Sequence, residues 1–269
     1  MILRYAAFTD DPRGGNPAGV VLDAAGLDAS DMQRIAAEVG YSESAFVVAR
    51  GVGEYDVRYF SPEAEVPFCG HATIATAVAL AQRDGPGRLV FHTAAGPVEV
   101  EATGERATLT SVAPTVEDAP DNLVDGVLSS LAWTRAELDG SLPPSVAFAG
   151  ARHLILAAAT RDRLRRLDYD FDTLKTLMLA NDLTTIALVW RADARTFHAR
   201  NPFPVGGVVE DPATGAAAAA FGAYLRQLDG SGGTITVHQG EDLGRPSLLS
   251  VEIPRDDPRI RVSGEAVPI

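Results

Sequence analysis

The chain is poor in what several protein classes require. A single cysteine, Cys69, among 269 residues excludes an internal disulfide framework and any multi-cysteine zinc site supplied by one chain. That usage fits a reducing compartment, so the cytoplasm is the expected location. No run approaches the ~18 consecutive apolar residues of a membrane-spanning helix. The opening "MILRYAAFTDDPRGGNPAG" lacks the apolar stretch of a signal peptide. Basic clusters are also missing. The longest, "RDRLRR" (161–166), is interrupted by an acid and spaced as a solvated helix face. With a net charge of −13, the surface repels nucleic acid and anionic membranes, both of which need clustered Lys and Arg. HxH, HExxH and CxxC spacings do not occur, so neither a metal nor an organic cofactor is expected.

What is present is a globular composition, 46% hydrophobic and 22% charged, and a chain that repeats itself. "DMQRIAAEVGYSESAFVVA" (31–49) lies without gaps over "DTLKTLMLANDLTTIALVW" (172–190). Each reads as an amphipathic helix, a turn and an apolar strand. Ser30 stands at the N-cap position of the first helix, with Gln33 three residues on and Gly40 near its end. "GHATIATAVALAQRDG" (70–85) lies over "GAAAAAFGAYLRQLDG" (215–230), and each leads into a strand with one histidine, "RLVFHT" and "TITVHQ". The Pro- and Asp-rich "SVAPTVEDAPDN" (111–122) separates two halves, 1–115 and 116–269.

The first half's strands are short and joined by glycine-containing turns, as in antiparallel meanders and barrels. "ATIATAVALA" is apolar nearly all round, which suits a helix inside a barrel. The expected fold is α+β: two pseudo-symmetric domains, each a barrel-like, mostly antiparallel sheet around a central helix.

A pseudo-two-fold axis would bring the starts of the two long helices to one interdomain cleft. Each presents unpaired backbone N–H groups and about half a positive charge, a pair suited to a carboxylate-bearing small molecule. Gly70, Ala72, Gly215 and Ala216 are small, so a substrate can approach the backbone there. Glu43, in "YSESAF", sits where the other half has Thr184. A buried carboxylate there is the type of group that serves as general acid or base near neutral pH; alone, it equally reads as a capping or surface glutamate. His71 opens one long helix, Asp211 precedes the other in "VVEDPATG", and Asn16 lies in "GGNPAG"; each is also ordinary cap or turn chemistry. Cys69 precedes a helix start whose dipole favours a thiolate, although small buried hydrophobe is the commoner role.

The segments "GNPAGVVL", "ESAFV", "RYFSPEAEVPFCGHATIATA", "GARHLI", "VVEDPATGAAAAAF" and "QGEDLGRPS" resemble the PhzF family of phenazine-biosynthesis-like proteins. That family is similar in fold to diaminopimelate epimerase and proline racemase, with the active site between two related domains. The resemblance implies an isomerase in which Glu43 is the acid/base, His71 and Asp211 orient substrate, and Asn16 and the backbones of Gly70 and Gly215 line the cleft. It further implies no cofactor, a homodimer, and a substrate resembling a cyclic dihydro-hydroxyanthranilate. One departure is Ala216, where the family's second motif continues with serine. The alternatives are an epimerase or racemase pairing Glu43 with Cys69, and a non-catalytic homologue that only holds a carboxylate metabolite. The apolar stretch 146–159 would supply strands near a dimer interface.

Overall fold

The computed structural model describes residues 1–269. Up to residue 120 the strands are β1 (Leu3–Ala7), β2 (Asn16–Val21), β3 (Glu43–Gly51), β4 (Glu54–Phe60), β5 (Glu65–Val66), β6 (Gly87–Thr93), β7 (Gly96–Ala102), β8 (Arg106–Thr110) and β9 (Thr115–Asp118). They are followed by β10 (Ser145–Phe148), β11 (Arg152–Ala157), β12 (Thr185–Arg191), β13 (Thr196–Phe203), β14 (Val208–Asp211), β15 (Gly233–Gln239), β16 (Ser247–Ile253) and β17 (Arg261–Pro268). Helices α1 (Ala29–Val39), α2 (Gly70–Asp84), α3 (Asp121–Ser130), α4 (Arg161–Arg165), α5 (Phe171–Ala180) and α6 (Gly215–Asp229) complete the chain.

Pairing closes β1, β2, β3, β4, β6, β7, β8 and β17 into a barrel. Only β2·β3 and β4·β6 are parallel, because α1 and α2 supply the crossovers those pairs need. The second half repeats the pattern: β11·β12 and β13·β15 are parallel, with α5 and α6 as crossovers. The α+β architecture of two pseudo-symmetric barrel-like domains is therefore the observed one.

Each long helix is the filling of its barrel. In α2 every residue from Gly70 to Ala81 is buried, and in α6 nearly every residue from Gly215 to Leu225. Alanine is the commonest residue in both, and larger side chains such as Ile74 and Leu80 in α2 and Phe221 and Tyr224 in α6 complete the core. The charges sit at the C-terminal ends: Arg83 and Asp84 of α2, Arg226 and Asp229 of α6.

Closure exchanges strands between the halves. The last strand, β17, pairs with β16 and β8 and then with β1, while β9 leaves the first barrel to pair with β10. The linker segment 111–122 is thus not a bare connection. Its middle is β9, whose backbone groups are satisfied by β10, and its two prolines flank that strand.

Two local expectations change. The N-cap of α1 is Asp28, whose carboxylate accepts from the Asp31 N–H at 2.9 Å and from the Ser30 hydroxyl at 2.6 Å; an aspartate outcompetes the neighbouring serine because its charge also suits the helix dipole. Gly40 does end the helix in the left-handed region, at φ 72°. The stretch 146–159 forms β10 and β11 but is no exposed interface. Val146, Leu154 and Leu156 pack in a second core beneath α3 and α5, while Ala147, Ile155 and Ala157 face the core shared with α6. "RDRLRR" begins α4, where Arg161 and Arg163 pair with Glu241, Asp242 and Glu137. No helix is long and apolar enough to cross a membrane.

Candidate active site

The first turns of α2 and α6 meet head to head. A Cβ added to Gly70 would lie 3.4 Å from the Gly215 Cα, so two glycines let the backbones touch. The residues before them, Cys69 and Thr214, make no side-chain cap bond to the helix. The leading N–H groups of both helices are therefore left for a ligand. Beside this contact lies a cavity of about 370 Å³, lined by Gly70, Gly215 and Ala216 together with Glu43, His71 and Asp211. Ala72 is fully buried on α2 and does not reach the cavity; nor does Asn16, which is buried behind it.

Asn16 instead ties the site together. Its amide nitrogen donates to Asp211 Oδ1 at 2.7 Å and to the Ala213 carbonyl at 3.1 Å, and stands 3.1 Å from His71 Nδ1. Two plain acceptors fix the orientation of that amide. His71 Nε2 lies 3.5 Å from Glu43 Oε2, with Ser42 Oγ at 3.4 Å. Burial lowers the His71 pKa, with the Glu43 charge acting the other way. The ring is neutral and lies beside the carboxylate.

Asp211 is held on every side. Thr214 Oγ1 donates to its Oδ2 at 2.6 Å, and Gln239 Nε2 to its main-chain oxygen at 2.7 Å. Burial, then the nearby Glu43 charge, pushes its pKa up from 3.8 to about 7. Two carboxyl groups thus share one cavity, and burial favours the protonated form of Asp211.

That shift has a sign. The folded protein keeps a proton on Asp211 that the unfolded chain releases from about pH 4. Its contribution to stability is complete below that pH and is lost as pH rises through about 7. Asp211→Asn imitates the protonated acid, since its oxygen still accepts from Asn16 and its NH₂ faces the Thr214 hydroxyl. The variant is expected to lose this component of the pH slope and to exceed wild type in stability at pH 8. Urea unfolding at pH 5, 7 and 8 checks it; an unchanged slope would refute the assignment.

Cys69 is a thiol. It is buried, and burial followed by the Glu43 charge raises its pKa well above the ordinary value. The helix dipole favours a thiolate there, but desolvation and a nearby carboxylate act the other way, in line with the buried-hydrophobe reading of Cys69. Cys69 Sγ lies 3.3 Å from His71 Nδ1. Glu43, Cys69 and His71 place their ligand-type atoms within 4.8 Å of one another, so these three could hold a divalent ion. Spacing patterns cannot reveal such a set, since β3 and the start of α2 bring it together.

Sequence reasoning missed Ser42, Thr214 and Gln239 as supports and His153 and Thr185 as cavity wall. The only signal for the histidine was "GARHLI".

A model of the phenazine biosynthesis-like proteins, PhzC-PhzF, matches residues 5–269. The chain belongs to this family. Among its relatives, the trans-2,3-dihydro-3-hydroxyanthranilate isomerase of Pseudomonas chlororaphis is 34% identical over 97% of this chain and 94% of its own. A crystal structure of a PhzF-family protein from Bacillus anthracis superposes with a TM-score of 0.89 at 28% identity, covering 100% of this chain and 96% of that one. A probable proline racemase from Agrobacterium radiobacter shares the fold, with a TM-score of 0.67 at 13% identity over 100% and 90% of the two chains. The curated relatives are named isomerases, and this PhzF-family chain is an isomerase.

Proposed function

We propose that the chain moves a proton between carbons of a small carboxylate-bearing metabolite, using Glu43 as the single acid/base and no cofactor. The observation that carries this is the convergence of Glu43, His71 and Asp211 on a cavity floored by two helix N-termini. The substrate carboxylate sits against the first-turn N–H groups of α2 and α6. Glu43 takes a proton from a carbon next to a π-system, and charge spreads toward the carboxylate that those dipoles hold. The same carboxyl, after exchanging with solvent, gives a proton to a second carbon, so nothing is consumed. His71 steadies the Glu43 carboxylate through Nε2–H, and Asp211, in its protonated form, can donate to substrate. Asn16 positions both. Ala216 leaves the α6 N-terminus without a hydroxyl, which shifts preference among carboxylates rather than the proton path.

A relative's name directs the choice of substrate class to cyclic dihydro-hydroxyanthranilates. Turnover of trans-2,3-dihydro-3-hydroxyanthranilate in D₂O is expected to place deuterium at one ring carbon of the product. Tight binding with neither conversion nor exchange would make the chain a metabolite-binding homologue instead. The epimerase reading with Cys69 as second base requires a thiolate, and the burial of that thiol opposes it. We infer further that residues 1–115 and 116–269 act as the two walls of the site and that the protein is a homodimer. A monomeric mass by light scattering at micromolar concentration would refute the dimer.

A further inference from the structure

The second half contributes its own reactive-looking group to the cavity. His153, on β11, is fully buried beside Thr185 of β12, and both line the cavity. Strand alternation fixes its direction. His153 shares a face with Ile155 and Ala157, which pack in the core with α6, whereas Leu154 and Leu156 face the core under α3 and α5. The ring therefore points into the barrel, where α6 begins. Its Nδ1 is 2.8 Å from Thr185 Oγ1, while Nε2 has neither a protein partner nor exposure.

Burial pushes the His153 pKa down to about 3, so the ring is neutral, and a main-chain bond to Thr185 favours protonation of the ring. Thr185 therefore takes the one N–H at Nδ1, and Nε2 carries a bare lone pair. Buried polar atoms in native proteins are almost always partnered, so this one asks for a donor. The other half has no equivalent. Register pairs His153 with Thr185 as it pairs Gly19 with Ser44, so a glycine stands at the matching place. The imidazole is no requirement of the barrel, since its twin closes without one.

We propose that His153 Nε2 is a substrate-reading acceptor that takes a hydrogen bond from a hydroxyl or amine on the ligand whose carboxylate sits at the helix starts. This rests on the reading of the cleft as the substrate site. A neutral acceptor selects donors and rejects a second carboxylate, so the ligand carries its anionic group at the helix end and a donor toward β11.

Three probes test this by calorimetry: 3-hydroxyanthranilate and anthranilate, which carry donors, and benzoate, which has only the carboxylate. His153→Leu is expected to weaken the first two by about tenfold, the effect of losing one hydrogen bond, and to leave benzoate within about twofold. His153→Gln, which keeps an acceptor, should recover most of the loss. Equal weakening of all three probes, or of none, overturns the proposal. Nitrogen-15 spectra of the wild-type protein supply a test that needs no variant. The His153 Nε2 signal should move upfield with 3-hydroxyanthranilate and stay put with benzoate; identical behaviour with both overturns it. Failure of all probes to bind wild type would remove the substrate class and this proposal together. Turnover by Glu43→Gln is read separately, so failure of the acid/base reading is distinguishable.

Discussion

Glu43→Gln is expected to abolish nearly all turnover, by ~100-fold or more, the scale of a lost general acid–base, while leaving fold and ligand binding intact. Glutamine matches glutamate in size and keeps an oxygen beside His71 Nε2, which lies 3.5 Å from the carboxylate in the wild type. It cannot take a proton from carbon. The side chain sits at the start of β3, paired in register with Ala18 of β2, so the change alters no strand pairing. Steady-state rates, together with thermal unfolding and calorimetric binding of the same preparation, give the answer. Near wild-type turnover would defeat the proton-transfer mechanism. Lost turnover with lost binding would instead place Glu43 among the binding groups.

Arg200→Met is expected to destabilise the fold by about 3–5 kcal/mol, the cost of orphaning one partner of a buried ion pair. Arg200 on β13 grips Glu210 on β14 through Nε, 3.0 and 3.1 Å from the two carboxylate oxygens, and through Nη2 at 2.5 Å. The Glu210 side chain is 0% exposed. Without the guanidinium, a charge with no access to water remains in the core. Arg200 Nη1 also bonds the Arg165 carbonyl at 2.8 Å, so a second acceptor is orphaned. The double variant Arg200→Met with Glu210→Leu should regain most of the loss, because replacing both charges removes the desolvation cost as well as the attraction. Guanidinium unfolding of the two variants decides; a loss below about 1 kcal/mol in Arg200→Met would refute the argument. The effect extends to the active site, because Glu210 immediately precedes Asp211 on the same strand.

The sequence carried a good deal of this protein. Two apolar, alanine-rich segments opening at Gly70 and Gly215 are legible as barrel fillings, because a helix without a polar face has nowhere else to go. Their glycine starts and the adjoining Cys-Gly-His and Asp-Pro words announce a place where ligand meets backbone. Glu43, His71, Asp211 and Asn16 were legible through their positions relative to the repeat and through family resemblance. All four do come together, though Asn16 stands behind the cavity wall.

Tertiary structure alone decided the rest. That β17 closes the first barrel while β9 joins the second half depends on strand pairings whose separations run from Asp118↔Ser145 to Tyr5↔Pro268, and nothing in the composition of either strand names its partner. The titration of the site depends on tertiary structure in the same way. Asp211 is raised and Cys69 stays a thiol because burial removes water from both and sets Glu43 beside them. Asn16 reaches Asp211 across 195 positions of chain and stands 3.1 Å from His71 Nδ1, so one amide joins groups from both halves. Helix and strand preferences arise from each residue's own backbone and near neighbours, so they can be read locally. Desolvation and proton placement arise from every atom packed around a group, and those neighbours are assembled only when the two halves come together.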